Sequence, residues 1–149
     1  MKQYYSYDNF RDDTNSLIKE VKRFEPEALV GIARGGLTLA HAVAEGLSIR
    51  EVQTLRTELY DVACKREKIT LFGNCSFTNL KRVLVLDDIA DSGETLKEIM
   101  NYLEHEFSEI EFISATLFYK TTSVYKPHVW INEAHNWIEF FWEKDFLQD

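Results

Sequence analysis

The chain has 149 residues, 45% apolar and 13% aromatic, and its 25 acidic and 17 basic side chains give a formal net charge of −8. That length suits one domain with a sizeable core rather than two, and the apolar content excludes a disordered chain. The acidic balance argues against a general grip on nucleic acid, and no apolar run reaches the length of a membrane span.

The first residues, MKQYYSYDNF, lack an apolar signal region, so no secretory leader is expected. Residues 14–24 read as a helix capped by Thr14, with Leu17, Val21 and Phe24 on one face and Pro26 beyond its end. Ala28–Ile32 reads as a short buried strand, followed by the turn "ARGG". Residues 37–47 then form a helix with an inner stripe of Leu37, Ala40, His41, Ala44 and Leu47, which makes His41 a packed core or interface histidine. Residues 52–57 read as a second strand. Over residues 60–79 the pattern breaks down, which predicts a long mobile loop with a short hairpin at 69–77.

Order returns with an apolar strand at 82–86. Leu96, Ile99, Met100, Leu103 and Phe107 then mark a helix, Glu111–Tyr119 is a buried strand, and 129–131 and 137–142 are strand-like. Strands alternating with helices predict a single α/β domain with a mainly parallel sheet flanked by helices. Ligands bind such sheets at the carboxyl ends of the strands. Cys64 and Cys75 form no CxxC pair and the four histidines show no metal-ligand spacing, as expected of reduced thiols in a cytoplasmic protein.

Three stretches carry chemistry. In "DDIADSGETL" the acids Asp87, Asp88 and Asp91 crowd the exit of a buried strand. Neighbouring carboxylates repel unless a divalent cation or a vicinal diol satisfies them. The following "DSGET" could be an ordinary helix cap, or a concavity of amides and hydroxyls that takes a phosphate. Together these suggest a phosphorylated sugar. In "GIARGG" an arginine before paired glycines is either a surface residue in a turn or a second anion site. "YDVACKREK" is either a solvated charged loop or a basic lid.

The segment "VLVLDDIADSGET", residues 83–95, resembles the phosphoribosyl pyrophosphate signature of type I phosphoribosyltransferases. The likeness extends along nearly the whole chain to members acting on 6-oxopurines. "ARGGL" resembles their pyrophosphate loop, "YDVACKREK" their flexible catalytic loop, "LFYK" their base-reading strand and "WIEFFWE" their base-binding segment. The departures are Glu94 where a small residue is common, Thr121 for a proline, Phe140–Phe141 for a more polar pair, and a short tail after Glu143.

The resemblance implies the fold of that family, with a flexible loop at about 60–79 and a small C-terminal base-binding hood at about 120–149. It implies transfer of 5-phosphoribosyl from phosphoribosyl pyrophosphate to guanine, xanthine or hypoxanthine, with Mg²⁺ as cofactor. Arg34, Gly35, Asp87, Asp88, Asp91, Ser92, Gly93, Glu94 and Thr95 would bind the activated sugar, with Asp88 also orienting the metal. Asp91 and Arg66 would be catalytic. Asp91, Lys120, Trp137, Ile138 and Glu143 would bind the base, while Phe140, Phe141 and Trp142 belong to a core or an interface. A cis peptide near Ala33–Arg34 and a homo-oligomer, dimer or tetramer, are implied as well. The alternatives are a regulator that keeps the fold and senses phosphoribosyl pyrophosphate or a nucleotide, or an enzyme of this type for another base.

Overall fold

Residues 1–62 and 66–148 are described in the computed structural model, with the side chains of residues 1–58 and 69–148. The chain begins with strand β1 (Lys2–Tyr5), which the sequence pattern did not reveal, and helix α1 (Tyr7–Val21), continued by a 3₁₀ turn at Lys22–Phe24. The helix starts a full two turns before the predicted Thr14. Its cap is Ser6, whose Oγ accepts the Asn9 amide at 3.1 Å. Thr14 sits in mid-helix and is buried beside Phe10, Leu17 and Val21.

Strand β2 (Ala28–Ile32), helix α2 (Gly36–Leu47) and strand β3 (Val52–Val62) follow. The buried face of α2 is Gly36, Leu39, Ala40, Val43 and Ala44, so the predicted stripe was rotated. Leu37 and His41 lie on the exposed side, and the His41 ring is 3.9 Å from Glu45. His41 is therefore not a core histidine.

Within the expected loop over 60–79, residues 60–62 and 66–72 are strand, and 73–79 are irregular. β3 runs to Val62 and pairs antiparallel with β4 (Arg66–Phe72), from Arg56 opposite Phe72 to Val62 opposite Arg66. A basic sequence hid this arm, because alternation there is carried by charged residues rather than by apolar ones. Cys64 and Lys65 lie outside the described residues, as do the side chains of Arg66 and Lys68. Cys75, beyond β4, is buried against the core, and burial pushes its thiol up to about 11, so it is an inert packed cysteine.

The second half contains β5 (Arg82–Ala90), α3 (Glu94–Glu106), β6 (Glu111–Tyr119), β7 (Val129–Glu133), β8 (Trp137–Phe140) and the short helix α4 (Phe141–Lys144). β5 extends four residues past its predicted end, so Asp87 and Asp88 lie within the strand rather than after it. The predicted strand at 137–142 breaks at Phe140 into α4.

Six strands form one sheet in the order β4-β3-β2-β5-β6-β7, parallel except for β3–β4, and β1 pairs with β8 in a separate parallel ribbon. Helices α1 and α2 cover one face and α3 the other, each over its own apolar cluster. Four-residue β1 could not bury a face alone. It is held because the Tyr5 ring packs edge-on against Phe118, Phe140 and Trp142, and its hydroxyl donates to Asp13 at 2.7 Å. That aromatic cluster seats the β1–β8 ribbon at the carboxyl end of β6.

Sequential connections leave β2 and β5 in opposite directions, toward β3 and toward β6. The gap between these two central strands is the topological switch point, where a crevice opens above a parallel sheet. Moving the helix cap from Thr14 to Ser6 has a measurable consequence. Ser6→Ala should lower unfolding free energy by about 1 kcal/mol in urea denaturation. Thr14→Val should leave it unchanged or raise it, since Thr14 Oγ1 has no hydrogen-bond partner among the described residues.

Candidate active site

The crevice is built where the turn after β2 meets β5. The Ala33–Arg34 peptide is cis, and residues 33–35 form a tight turn into α2. The turn approaches β5 too closely for side chains. A methyl group on Gly35 would collide with the Asp88 carboxylate, and one on Gly36 would stand 2.6 Å from the Leu86 carbonyl oxygen. The paired glycines are thus a contact requirement, and Arg34 is left exposed at the rim.

Asp87 and Asp88 are both buried, at 9% and 7% exposure. Alternation along the strand sends the two side chains in different directions, and only Asp88 lines the crevice. Asp87 Oδ1 accepts the Asp88 amide at 2.9 Å, and Asp88 Oδ1 accepts the Ile89 amide at 2.8 Å. Among the described residues no cationic side chain lies within ion-pair distance of either. Burial, then the charge of Asp88, drives Asp87 well above the ordinary carboxylate range. Burial pushes Asp88 up to about 6, with repulsion from Glu143 adding to it and bonds from Asp87 and the Ile89 amide opposing it.

Two buried carboxylates without a cation fit a divalent metal in charge and in donor chemistry. No cluster of three or more metal-binding side chains occurs among the described residues.

A cleft of about 620 Å³ extends from Gly35 and Asp88 over Asp91 and Lys120 to Trp137, Ile138 and Glu143. Four elements converge on it. Lys120 follows the last residue of β6, and its amide donates to the Ala90 carbonyl at 3.0 Å, which aligns the two strand ends. Its Nζ stands 3.4 Å from Asp91 Oδ1, and both side chains remain half exposed to the cleft. Trp137, on β8, is 66% exposed, whereas its neighbour Ile138 is buried. An indole held on a ribbon with its ring uncovered can stack on a flat ligand. Phe140 and Trp142 stack on each other at 4.6 Å in the aromatic cluster, and Phe140, though buried, also forms part of the cleft wall.

The turn after β5 lies on the other side of Asp88. Gly93 adopts φ +82°, and a methyl group there would collide with Ser123 Oγ and meet the Tyr125 amide at 2.7 Å. The Ser92 carbonyl accepts the Val124 amide at 2.8 Å, and Ser92 Oγ accepts the Glu94 amide at 3.3 Å. The loop after Lys120 thus clasps the turn at the amino end of α3. Thr95 Oγ1 lies 3.0 Å from Thr57 Oγ1 on β3.

Of the sequence-predicted residues, Gly35, Asp88, Asp91, Lys120, Trp137, Ile138 and Glu143 line one cleft. Ser92, Gly93, Glu94 and Thr95 form the adjoining turn, Asp87 lies behind Asp88, and the Arg66 side chain lies outside the described residues. Met1, Ile89, Ala134, His135 and Asn136 also line the cleft and were missed, and Phe140, expected only in a core or interface, lines it as well. Ile89 was recoverable, as the residue between two predicted ones. Met1 was not, because its place depends on the Trp137 amide donating to the Met1 carbonyl at 3.2 Å across the unpredicted β1–β8 ribbon.

A carboxyl that titrates higher in the folded chain binds an extra proton on folding. The unfavourable contribution of Asp88 is therefore complete above pH 6 and vanishes below about pH 4, the ordinary aspartate range. Relative to Asp88→Asn, wild-type stability should fall as pH rises through this window. Without ligand at pH 7, the asparagine variant should be the more stable in chemical denaturation, and the difference should shrink as pH falls toward 4.

Comparison with known proteins gives the chain's relatives. The chain matches the phosphoribosyl transferase domain family over residues 1–148. It is 29% identical to the xanthine-guanine phosphoribosyltransferase of Cereibacter sphaeroides, over 94% of this chain and 86% of that one. The solved structure of the Helicobacter pylori xanthine-guanine-hypoxanthine phosphoribosyltransferase superposes with a TM-score of 0.91 at 35% identity, covering 97% and 96% of the two chains. A purine phosphoribosyltransferase from Pyrococcus horikoshii shares the fold, with a TM-score of 0.81 at 24% identity over 99% and 98%.

Proposed function

Because the chain belongs to the phosphoribosyl transferase domain family, we propose that it transfers 5-phosphoribosyl from phosphoribosyl pyrophosphate to a 6-oxopurine, releasing pyrophosphate and a nucleoside monophosphate. One observation carries the choice of base. Lys120 and Asp91 stand 3.4 Å apart beside the open ring of Trp137. A 6-oxopurine presents N7 and O6 at neighbouring positions on one edge. A purine stacked on Trp137 can therefore meet Asp91 at N7 and Lys120 at O6 together.

The residues divide the work as follows. Asp91 accepts the N7 proton as general base. Lys120 donates to the 6-oxo group and rejects adenine, whose amino group would leave a half-buried ammonium unpaired. Ile138 and Glu143 bound the 2-position through backbone groups. Asp88, with Asp87 behind it, holds the ribose diol and would hold Mg²⁺. When bound, the metal supplies positive charge to the departing pyrophosphate. Arg34 and the amides at Gly35 and Gly36 take the pyrophosphate, and residues 91–95 cradle the 5′-phosphate at the start of α3. Arg66, on the β3–β4 arm, neutralises the leaving group and helps exclude water. The Glu94 carboxylate is tolerated if amides and hydroxyls do the binding. No helix among the described residues is long and apolar enough to cross a membrane, and the reading places the protein in the cytoplasm as a homo-oligomer.

Incubation with phosphoribosyl pyrophosphate, Mg²⁺ and each of guanine, xanthine, hypoxanthine, adenine and uracil tests the reading. Nucleoside monophosphate should form with 6-oxopurines only and require Mg²⁺. Asp91→Asn should lower kcat by about 10² to 10⁴-fold. No turnover with any base, alongside nucleic-acid binding, would overturn the proposal in favour of a sensor that keeps the fold.

A further inference from the structure

We infer that Thr57, a residue of β3 outside the cleft, is a positioning residue for the phosphate end of the sugar site. The inference rests on the reading of residues 91–95 as the 5′-phosphate cradle. Thr57 lies two positions beyond the buried Leu55, so the pleat of β3 turns both toward the same face of the sheet, the face covered by α3. There its Oγ1 stands 3.0 Å from Thr95 Oγ1, in the first turn of α3.

Each hydroxyl has one proton to donate and two lone pairs to accept with. Two hydroxyls facing each other share one proton, and either order is possible in the free protein. An anion in the cradle removes the choice. If Thr95 donated to Thr57, it would turn lone pairs toward the phosphate and repel it. If Thr57 donates, the Thr95 proton is free to point at a phosphate oxygen. Bound phosphate therefore selects the order Thr57 to Thr95 to phosphate, and each donor in such a chain strengthens the next. The same bond joins the cradle to the root of the β3–β4 arm, where Thr57 pairs with Leu71. Arg66 lies on that arm, so one hydroxyl contact links the anchoring of the phosphate to the strand pair that carries the proposed leaving-group cation.

The test compares Thr57→Val, which keeps the shape and removes the donor, with Thr57→Ser, which keeps the donor. Steady-state kinetics and calorimetric binding of GMP, XMP and IMP are read side by side. Thr57→Val should raise KM for phosphoribosyl pyrophosphate and weaken nucleotide binding by about 2- to 10-fold, the value of one neutral hydrogen bond. It should leave kcat and KM for the purine unchanged. Thr57→Ser should match wild type. The inference fails if the valine variant binds these ligands as wild type does, or if the serine variant is equally impaired. Wild type that binds neither the donor nor any of the three nucleotides would instead overturn the phosphoribosyltransferase reading itself.

Discussion

Asp87 and Asp88 sit side by side on the central strand of a parallel sheet, nearly closed off from water, with no cation beside them among the described residues. Charge in that position is unfavourable by burial and by mutual repulsion. Much of the surrounding structure accommodates this pair. The turn after β2 uses two glycines because nothing larger fits between it and the acids. The Asp88 and Ile89 amides donate hydrogen bonds to the two carboxylates. The strand is continued past the acids to Ala90, so that Lys120 and Asp91 emerge from adjacent strand ends. A site that disfavours free carboxylates favours a ligand bringing compensating charge and hydroxyl protons.

The same arrangement brings the residues proposed for base and for sugar together. β5 and β6 are neighbours, and the loop after Lys120 hydrogen-bonds the turn at Ser92 and packs over Gly93. The turn after β5 and the loop that carries Lys120 are thus joined by a main-chain hydrogen bond rather than by long side chains. The β1–β8 ribbon adds the wall that carries the exposed Trp137. It depends on Tyr5, whose ring anchors to β6 and whose hydroxyl anchors to α1. The two ends of the chain thus meet to form one side of the cleft.

How much of this could be read from the sequence follows from where the information is stored. That Asp88, Asp91 and the glycine turn after β2 gather at one cleft was legible, because acids and glycines crowd the predicted strand exits there. The strands Ala28–Ile32 and Glu111–Tyr119 were legible as continuous apolar runs buried on both faces. The β3–β4 arm was not, since its charged sequence has no apolar period and its strands are held by pairing with each other. Helix α1 was begun too late because its first turns carry Asp8, Arg11, Asp12 and Asp13, which obscure the apolar stripe begun by Phe10. His41 was misplaced by one face because Leu37 and Leu47 fit either of two adjoining stripes. β1 was hidden because its pairing partner lies more than 130 residues away, at Trp137.

Burial raises both Asp87 and Asp88 above the ordinary carboxylate range, so the proposed sugar site predicts that binding of phosphoribosyl pyrophosphate with Mg²⁺ displaces a proton from the pair. Infrared difference spectroscopy at pH 6, on adding phosphoribosyl pyrophosphate with Mg²⁺, reads that proton directly. The account predicts loss of the protonated-carboxyl stretch on binding, with no such loss when only the purine is added. A protonated-carboxyl band that persists in the fully bound protein would contradict it.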